Sequence, residues 1–126
     1  MQGAADKIAA ANAEITVIAQ IETERGLAHV DEIAAVDGID VLWVGHFDLA
    51  NFLGIPGEFA NPVFIDAVKT VVAAAKRHGK GLGFMPASGQ VAREYKGYGF
   101  NMLAVGTDQG LLMQGIRSVL QEVEGA

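Results

Sequence analysis

The sequence predicts an α/β fold with a parallel sheet, about four βα units in 126 residues. Three observations predict it. Apolar, β-branched runs alternate with segments of helical spacing, at an interval of about 30 residues, the size of one βα unit. The strand candidates are near-continuous apolar runs, as in strands covered on both faces. Apolar residues make up 51% of the chain and charged residues 19%, a globular composition. A complete (β/α)8 barrel needs roughly 250 residues. Four units are therefore half of such a barrel or a small open sheet, in a single domain over residues 1–126.

The opening, Gly3 to Ala13, is Ala-rich and suits a helix. Ile15 to Ile21 is a β-branched run that leads into Glu22 and reads as the first strand. From Gly26 to Val36, Leu27, Val30, Ile33 and Ala34 recur at helical spacing, and Asp37-Gly38 breaks the pattern. Ile39 to Val44 is the second strand, closed by Gly45. Asn51 to Pro62, with Gly54, Pro56 and Gly57, reads as a long loop, and such loops are commonly functional. Phe64 to Arg77 is the clearest helix, with Val68, Val71, Val72 and Ala75 on one face and His78-Gly79 as its stop. Gly81 to Met85 is the third strand. Ser88 can cap a helix over Gln90 to Tyr95. Met102 to Val105 is the fourth strand, and Thr107 or Asp108 can cap a last helix that runs through Val123. Met85, Met102 and Met113 read as core.

Charge and composition exclude several roles. The chain has 9 basic and 15 acidic residues, net −6, which disfavours nucleic acid and acidic membranes as partners. There is no cysteine, so disulfides, thiolate metal sites and a cysteine nucleophile are out. No apolar run reaches the roughly 18 residues of a membrane span, and the first residues lack a signal-peptide pattern. The expectation is a cytoplasmic protein.

Parallel α/β folds place their functional groups at the C-terminal ends of the strands. There the first strand offers Gln20 and Glu22, two apart and so on one face. The second offers His46 and Asp48 just beyond Gly45. Two carboxylates at one rim repel unless a cation neutralises them. Mg²⁺ or Mn²⁺ takes one or two carboxylates and keeps waters and substrate oxygens as its other ligands. The plainer readings are a helix cap or a solvated loop carboxylate for Glu22 and Asp48, and a structural histidine for His46. His29, in the first helical segment, and His78, at a helix end where a cation suits the dipole, read as structural.

Gln20-Ile-Glu22-Thr23, Val-Asp-Gly-Ile-Asp40, Gly45-His-Phe-Asp48-Leu49, Leu53-Gly-Ile-Pro-Gly57, Gly79-Lys-Gly-Leu-Gly83 and Ala104-Val-Gly106-Thr-Asp108 follow one another in order along nearly the whole chain. In that order and spacing they closely resemble the HpcH/HpaI aldolase/citrate lyase family, in particular its class II, metal-dependent pyruvate aldolases. The family carries a metal-binding Glu in Q-[IV]-E-T and a metal-binding Asp in G-P-x-D-L. The resemblance implies a partial (β/α)8 TIM barrel, the C-terminal half of a family domain. It implies an aldolase that cleaves 4-hydroxy-2-oxo acids to pyruvate, or a related 2-oxo acid, and an aldehyde. It also implies a divalent metal (Mg²⁺, Mn²⁺ or Co²⁺) on Glu22 and Asp48. By the same resemblance Gln20 binds the oxo acid, the Phe47 backbone donates to its carboxylate, and Met85 lines the aldehyde side.

Two features depart from the family pattern. His46 stands where the family has Pro, and either replaces a turn residue or adds a polar group near the metal. The family's catalytic His, with its acidic partner, and its Arg come from the first half of the barrel, so no residue here inherits those catalytic roles. The expected partners are small oxo acids and aldehydes, together with a second copy of the chain or a missing N-terminal half, because a four-stranded parallel sheet has two open edges. The rival readings are a non-catalytic half-barrel module that binds metal and oxo acids, and an acyl-CoA lyase of the citrate lyase type.

Overall fold

The computed structural model describes residues 3–125. Its elements in order are α1 (Ala4–Glu14), β1 (Ile18–Ile21), α2 (Glu24–Ala28), α3 (Val30–Ala34), β2 (Val41–Val44), α4 (His46–Phe52), α5 (Pro62–His78), β3 (Gly81–Phe84), α6 (Gly89–Tyr98), β4 (Met102–Leu103) and α7 (Asp108–Glu124). The four strands form one sheet in the order β1-β2-β3-β4, and every pairing is parallel.

The two sheet faces differ, and strand parity explains how. Ile21, Leu42, Val44, Leu82 and Phe84 are buried and join the core under the helices. Their neighbours Ile18, Gln20, Val41, Trp43, Gly81, Gly83 and Met102 fall on the alternate parity and share the opposite, inner face. Trp43 lies across Gly83, where a Cβ would come within 2.2 Å of its ring.

The helix layer is anchored by α5. Asn61 caps it, its Oδ1 accepting the Val63 N–H at 3.0 Å, and Pro62 opens the first turn. Gly79 ends it in the left-handed region at φ 65°, behind a basic last turn of Lys76, Arg77 and His78. Its Phe64, Ala67, Val68, Val71, Ala74 and Ala75 are buried. Fully burying such a stripe contributes about 1.5–3 kcal/mol for each large side chain.

The lower ends of the strands are tied by side chains that imitate backbone. Asp40 Oδ2 accepts the Val17 N–H at 2.8 Å, while the Asp40 N–H reaches the Val17 carbonyl. Asn101 Oδ1 accepts the Leu82 N–H at 3.0 Å, while its own N–H reaches the Leu82 carbonyl.

Several elements differ from the sequence expectation. The ladder of the first strand starts at Ile18, not Ile15, because Val17 is held by Asp40 and Ile15 closes α1. The helix expected over Gly26 to Val36 breaks at His29 into α2 and α3, a turn that aims Val30 and Ala34 at the core. The fourth strand is only two residues long. Helix α4 occupies residues expected to be rim and the start of a loop. Met113 is 49% exposed rather than core, and Met85 and Met102 are half-buried.

Candidate active-site rim

Gln20 and Glu22 emerge at the upper end of β1, and the Gln20 side-chain amide donates to Glu22 Oε2. That bond fixes the amide orientation and leaves the other carboxylate oxygen for a different partner. Gly45 faces the pair from the end of β2, where its N–H donates to the Ile21 carbonyl at 3.1 Å. A Cβ on Gly45 would stand 2.7 Å from Glu22 Cβ and 2.8 Å from Gln20 Nε2. The residue must therefore be glycine for these two side chains to sit as they do. Sequence reasoning saw Gly45 only as the end of a strand. Its role follows from parity, because it falls on the same face as Trp43, and a Cβ there would meet Glu22.

Asp48 follows in the first turn of α4 and is exposed. Acidic residues are favoured there by the helix dipole. The first intrahelical bond of α4 runs from the Leu49 N–H to the Gly45 carbonyl at 2.8 Å. The N–H groups of His46, Phe47 and Asp48 precede it and are the donors that a helix leaves open. The Phe47 side chain is 58% exposed. Met85 continues the inner-face parity of Gly81 and Gly83 just past the end of β3. The rim thus collects a glutamate, a glutamine, an aspartate and open backbone donors at the ends of two adjacent parallel strands.

His46 points elsewhere. Its ring packs among Phe47, Phe59 and Phe84, with centroids 4.3, 5.1 and 4.9 Å away. It is 8% exposed. Burial lowers its pKa, against an opposing pull from Asp48. A neutral imidazole in an aromatic nest is a packed turn residue, not a general base poised over the rim. Of the two sequence readings of His46, this packing supports the replaced turn residue over a polar group near the metal.

A groove of about 700 Å³ opens between α5 and α6, floored by His46, Phe59, Phe84 and Tyr95. Gln20, Glu22, Asp48 and Met85 do not line it. Burial pushes the Tyr95 phenol up to about 12, so it stays neutral. This groove is therefore an aromatic space on the helix side, apart from the polar rim.

The oxygen ligands at the rim suit a hard divalent cation. Glu22 offers an oxygen that Gln20 does not engage, and Gly45 leaves the space beside Glu22 Oε2 clear. Asp48 is the second carboxylate. No group of three or more His, Asp or Glu residues that could by itself hold a metal ion occurs among the described residues. This donor set matches an ion that keeps most of its water and takes one or two carboxylates. No helix among the described residues is long and apolar enough to cross a membrane.

Residues 1–115 match the family model described as HpcH/HpaI aldolase/citrate lyase. The chain is 37% identical over 121 residues to the 5-keto-4-deoxy-D-glucarate aldolase of Citrobacter koseri, covering 96% of this chain and 46% of that protein. It is 40% identical over 105 residues to the enzyme of the same name from Salmonella paratyphi C, covering 83% and 41%. Among solved structures, an HpcH/HpaI aldolase/citrate lyase family protein from Burkholderia cenocepacia superposes with a TM-score of 0.86 at 38% identity, over 94% of this chain and 46% of that one. The HpcH/HpaI aldolase from Desulfitobacterium hafniense gives 0.84 at 28% identity, over 100% and 49%. The chain spans about half the length of the relatives it matches.

Proposed function

The chain belongs to the HpcH/HpaI aldolase/citrate lyase family, and from that premise we propose that it carries the metal- and oxo-acid-binding half of a carbon–carbon lyase. The reaction is cleavage of a 4-hydroxy-2-oxo acid to pyruvate, or a related 2-oxo acid, and an aldehyde. Relatives named as 5-keto-4-deoxy-D-glucarate aldolases make a sugar-derived oxo acid the first substrate to try.

The observation that carries this reading is the Gln20–Glu22–Gly45 arrangement, with Asp48 one turn onward. Glu22 and Asp48 would hold Mg²⁺, Mn²⁺ or Co²⁺, which would supply positive charge to the oxygens of the oxo acid. Gln20, oriented by Glu22, would direct its amide at the oxo acid. The open N–H of Phe47 would donate a hydrogen bond to the acid's carboxylate. Met85 would flank the side on which the aldehyde leaves. Aldol cleavage also needs a base for the 4-hydroxyl proton, and His46 is packed away from that task. Loss of a positioned base typically costs 10²–10⁴-fold. The 126-residue chain should therefore bind divalent metal and pyruvate but barely cleave.

Titration calorimetry with Mn²⁺ tests the site. Glu22→Gln and Asp48→Asn should each weaken binding at least tenfold, while Glu24→Gln, on a residue in α2, should leave it unchanged. Equal affinity in all three variants would refute the rim as a metal site. Robust cleavage by the purified 126-residue chain would refute the division into a binding half within these residues and a proton-transfer half outside them.

A further inference from the structure

We propose that the groove between α5 and α6 is a binding site for a small aromatic carboxylate, its ring held by the aromatic floor and its carboxylate by Lys76. The groove is about 700 Å³, within the size range of small-molecule sites, and most of its lining is apolar. Both walls belong to the interior of the chain. α5 leads into β3 and α6 leads out of it, and β2 and β3 are the two inner strands of the sheet. The floor is closely packed. Phe84 stacks on Tyr95, with ring centroids 3.8 Å apart and 8° between the planes, and the His46 ring stands 4.9 Å from Phe84. These three rings are buried, whereas Phe47 and Tyr98, which also line the groove, are exposed. Ring faces and edges of this kind take a planar ligand in offset or edge-on contact.

The charges on the lining point to an anion. Lys69 and Lys76 stand on the α5 wall. Lys69 is already paired with Asp66 at 3.0 Å, while Lys76 makes no ion pair among the described residues. The Lys76 stem lies against the end of α6, its Cε 3.7 Å from where a Cβ on Gly99 would stand. Glu94, the one carboxylate on the lining, accepts the Tyr98 hydroxyl at 3.2 Å. An ammonium without a partner, beside an apolar groove, complements a ligand with an apolar body and one negative charge. Small residues keep the space clear. Ala73 and Gly97 face it from the two walls, and a Cβ on Gly97 would meet nothing within 4 Å. Gln20, Glu22, Asp48 and Met85 do not line the groove. The inference therefore stands apart from the chemistry of the rim, and holds whether or not the rim binds metal.

The probe is 2-naphthoate, titrated by calorimetry into the 126-residue chain in EDTA, so that the rim carries no cation. One equivalent should bind with a dissociation constant of about 1 mM or tighter. The uncharged 2-naphthamide should bind about threefold more weakly, the gain from one partly exposed ion pair. Lys76→Gln should weaken the naphthoate by the same factor and leave the naphthamide unchanged. Lys96→Gln, on a lysine of α6 that does not line the groove, should change neither. Gly97→Leu and Ala73→Leu fill the groove from opposite walls, and each should abolish binding of both probes with the far-ultraviolet dichroism unchanged. No binding at about 10 mM ligand, equal affinity for acid and amide, or equal losses from Lys76→Gln and Lys96→Gln would overturn the proposal. So would binding that survives both filling variants. Self-association of the chain that Gly97→Leu abolishes would overturn it too, and would give the groove to a second copy.

Discussion

Helices α5 and α7 are both 17 residues long and both amphipathic, yet they end differently. α5 buries Phe64, Ala67, Val68, Val71, Ala74 and Ala75 against β2, β3 and α3, whereas α7 buries nothing and leaves Leu111, Leu112, Met113, Ile116, Val119, Leu120 and Val123 exposed. An apolar stripe states that a helix needs a partner. Topology decides whether the partner lies in the same four units. α5 follows an inner strand and packs on β2, β3 and α3, while α7 follows the edge strand β4 and buries no residue.

The largest effect should separate these two helices. Phe64→Ala removes a fully buried ring and should cost about 3–5 kcal/mol by urea unfolding. Leu120→Ala should cost under about 0.5 kcal/mol in the dilute monomer, as surface changes do. Comparable losses at the two positions would mean that α7 is already covered. Next come the inner-face glycines. Gly83→Ala pushes a methyl into Trp43 and should cost about 1–3 kcal/mol, the usual penalty for overpacking. Gly45→Ala should cost as much and should also displace Glu22, which the Mn²⁺ titration would report. If both are tolerated, the inner face is looser than the helix side. A smaller loss, about 0.5–2 kcal/mol, is expected when the α5 cap is removed by Asn61→Ala.

The smallest effect depends on pH. Asp31 of α3 meets Arg77 and His78 at the end of α5, with Glu32 and His29 beside it on its own side. Desolvation pushes its carboxyl up. The His78 hydrogen bond and the Arg77 charge outweigh that, holding it below the ordinary 3.8. The folded state thus binds this proton less readily than the unfolded one. The stabilisation is present above pH 3.8 and is lost as pH falls through the lower folded value. Asp31→Asn should therefore melt slightly earlier than the parent chain at pH 7, and the gap in Tm should close as the solution is acidified below pH 3.8. A gap that persists at low pH would remove the ion pair from the anchoring of α3 to α5.

The sequence made the long elements legible. Val68, Val71 and Ala75 marked the apolar face of α5, and Ser88 and Thr107 stood where caps were needed. It also made Glu22 and Asp48 legible as rim carboxylates, since their place depends only on following a strand. Short elements escaped it. The seven residues of α4 span about two turns, too few for a period to show. The direction of His46 was beyond reach because it depends on Phe59 and Phe84, which arrive from a distant loop and strand. The burial of Met113 was misread because helical spacing records an apolar face and not its neighbour.

The position of Trp43 gives this chain a built-in reporter. It is the sole tryptophan, and it stands on the inner face across Gly83 rather than among the helices. Its emission therefore senses water on one side of the sheet only. A red shift with urea would record the opening of that face separately from the melting of the helix layer.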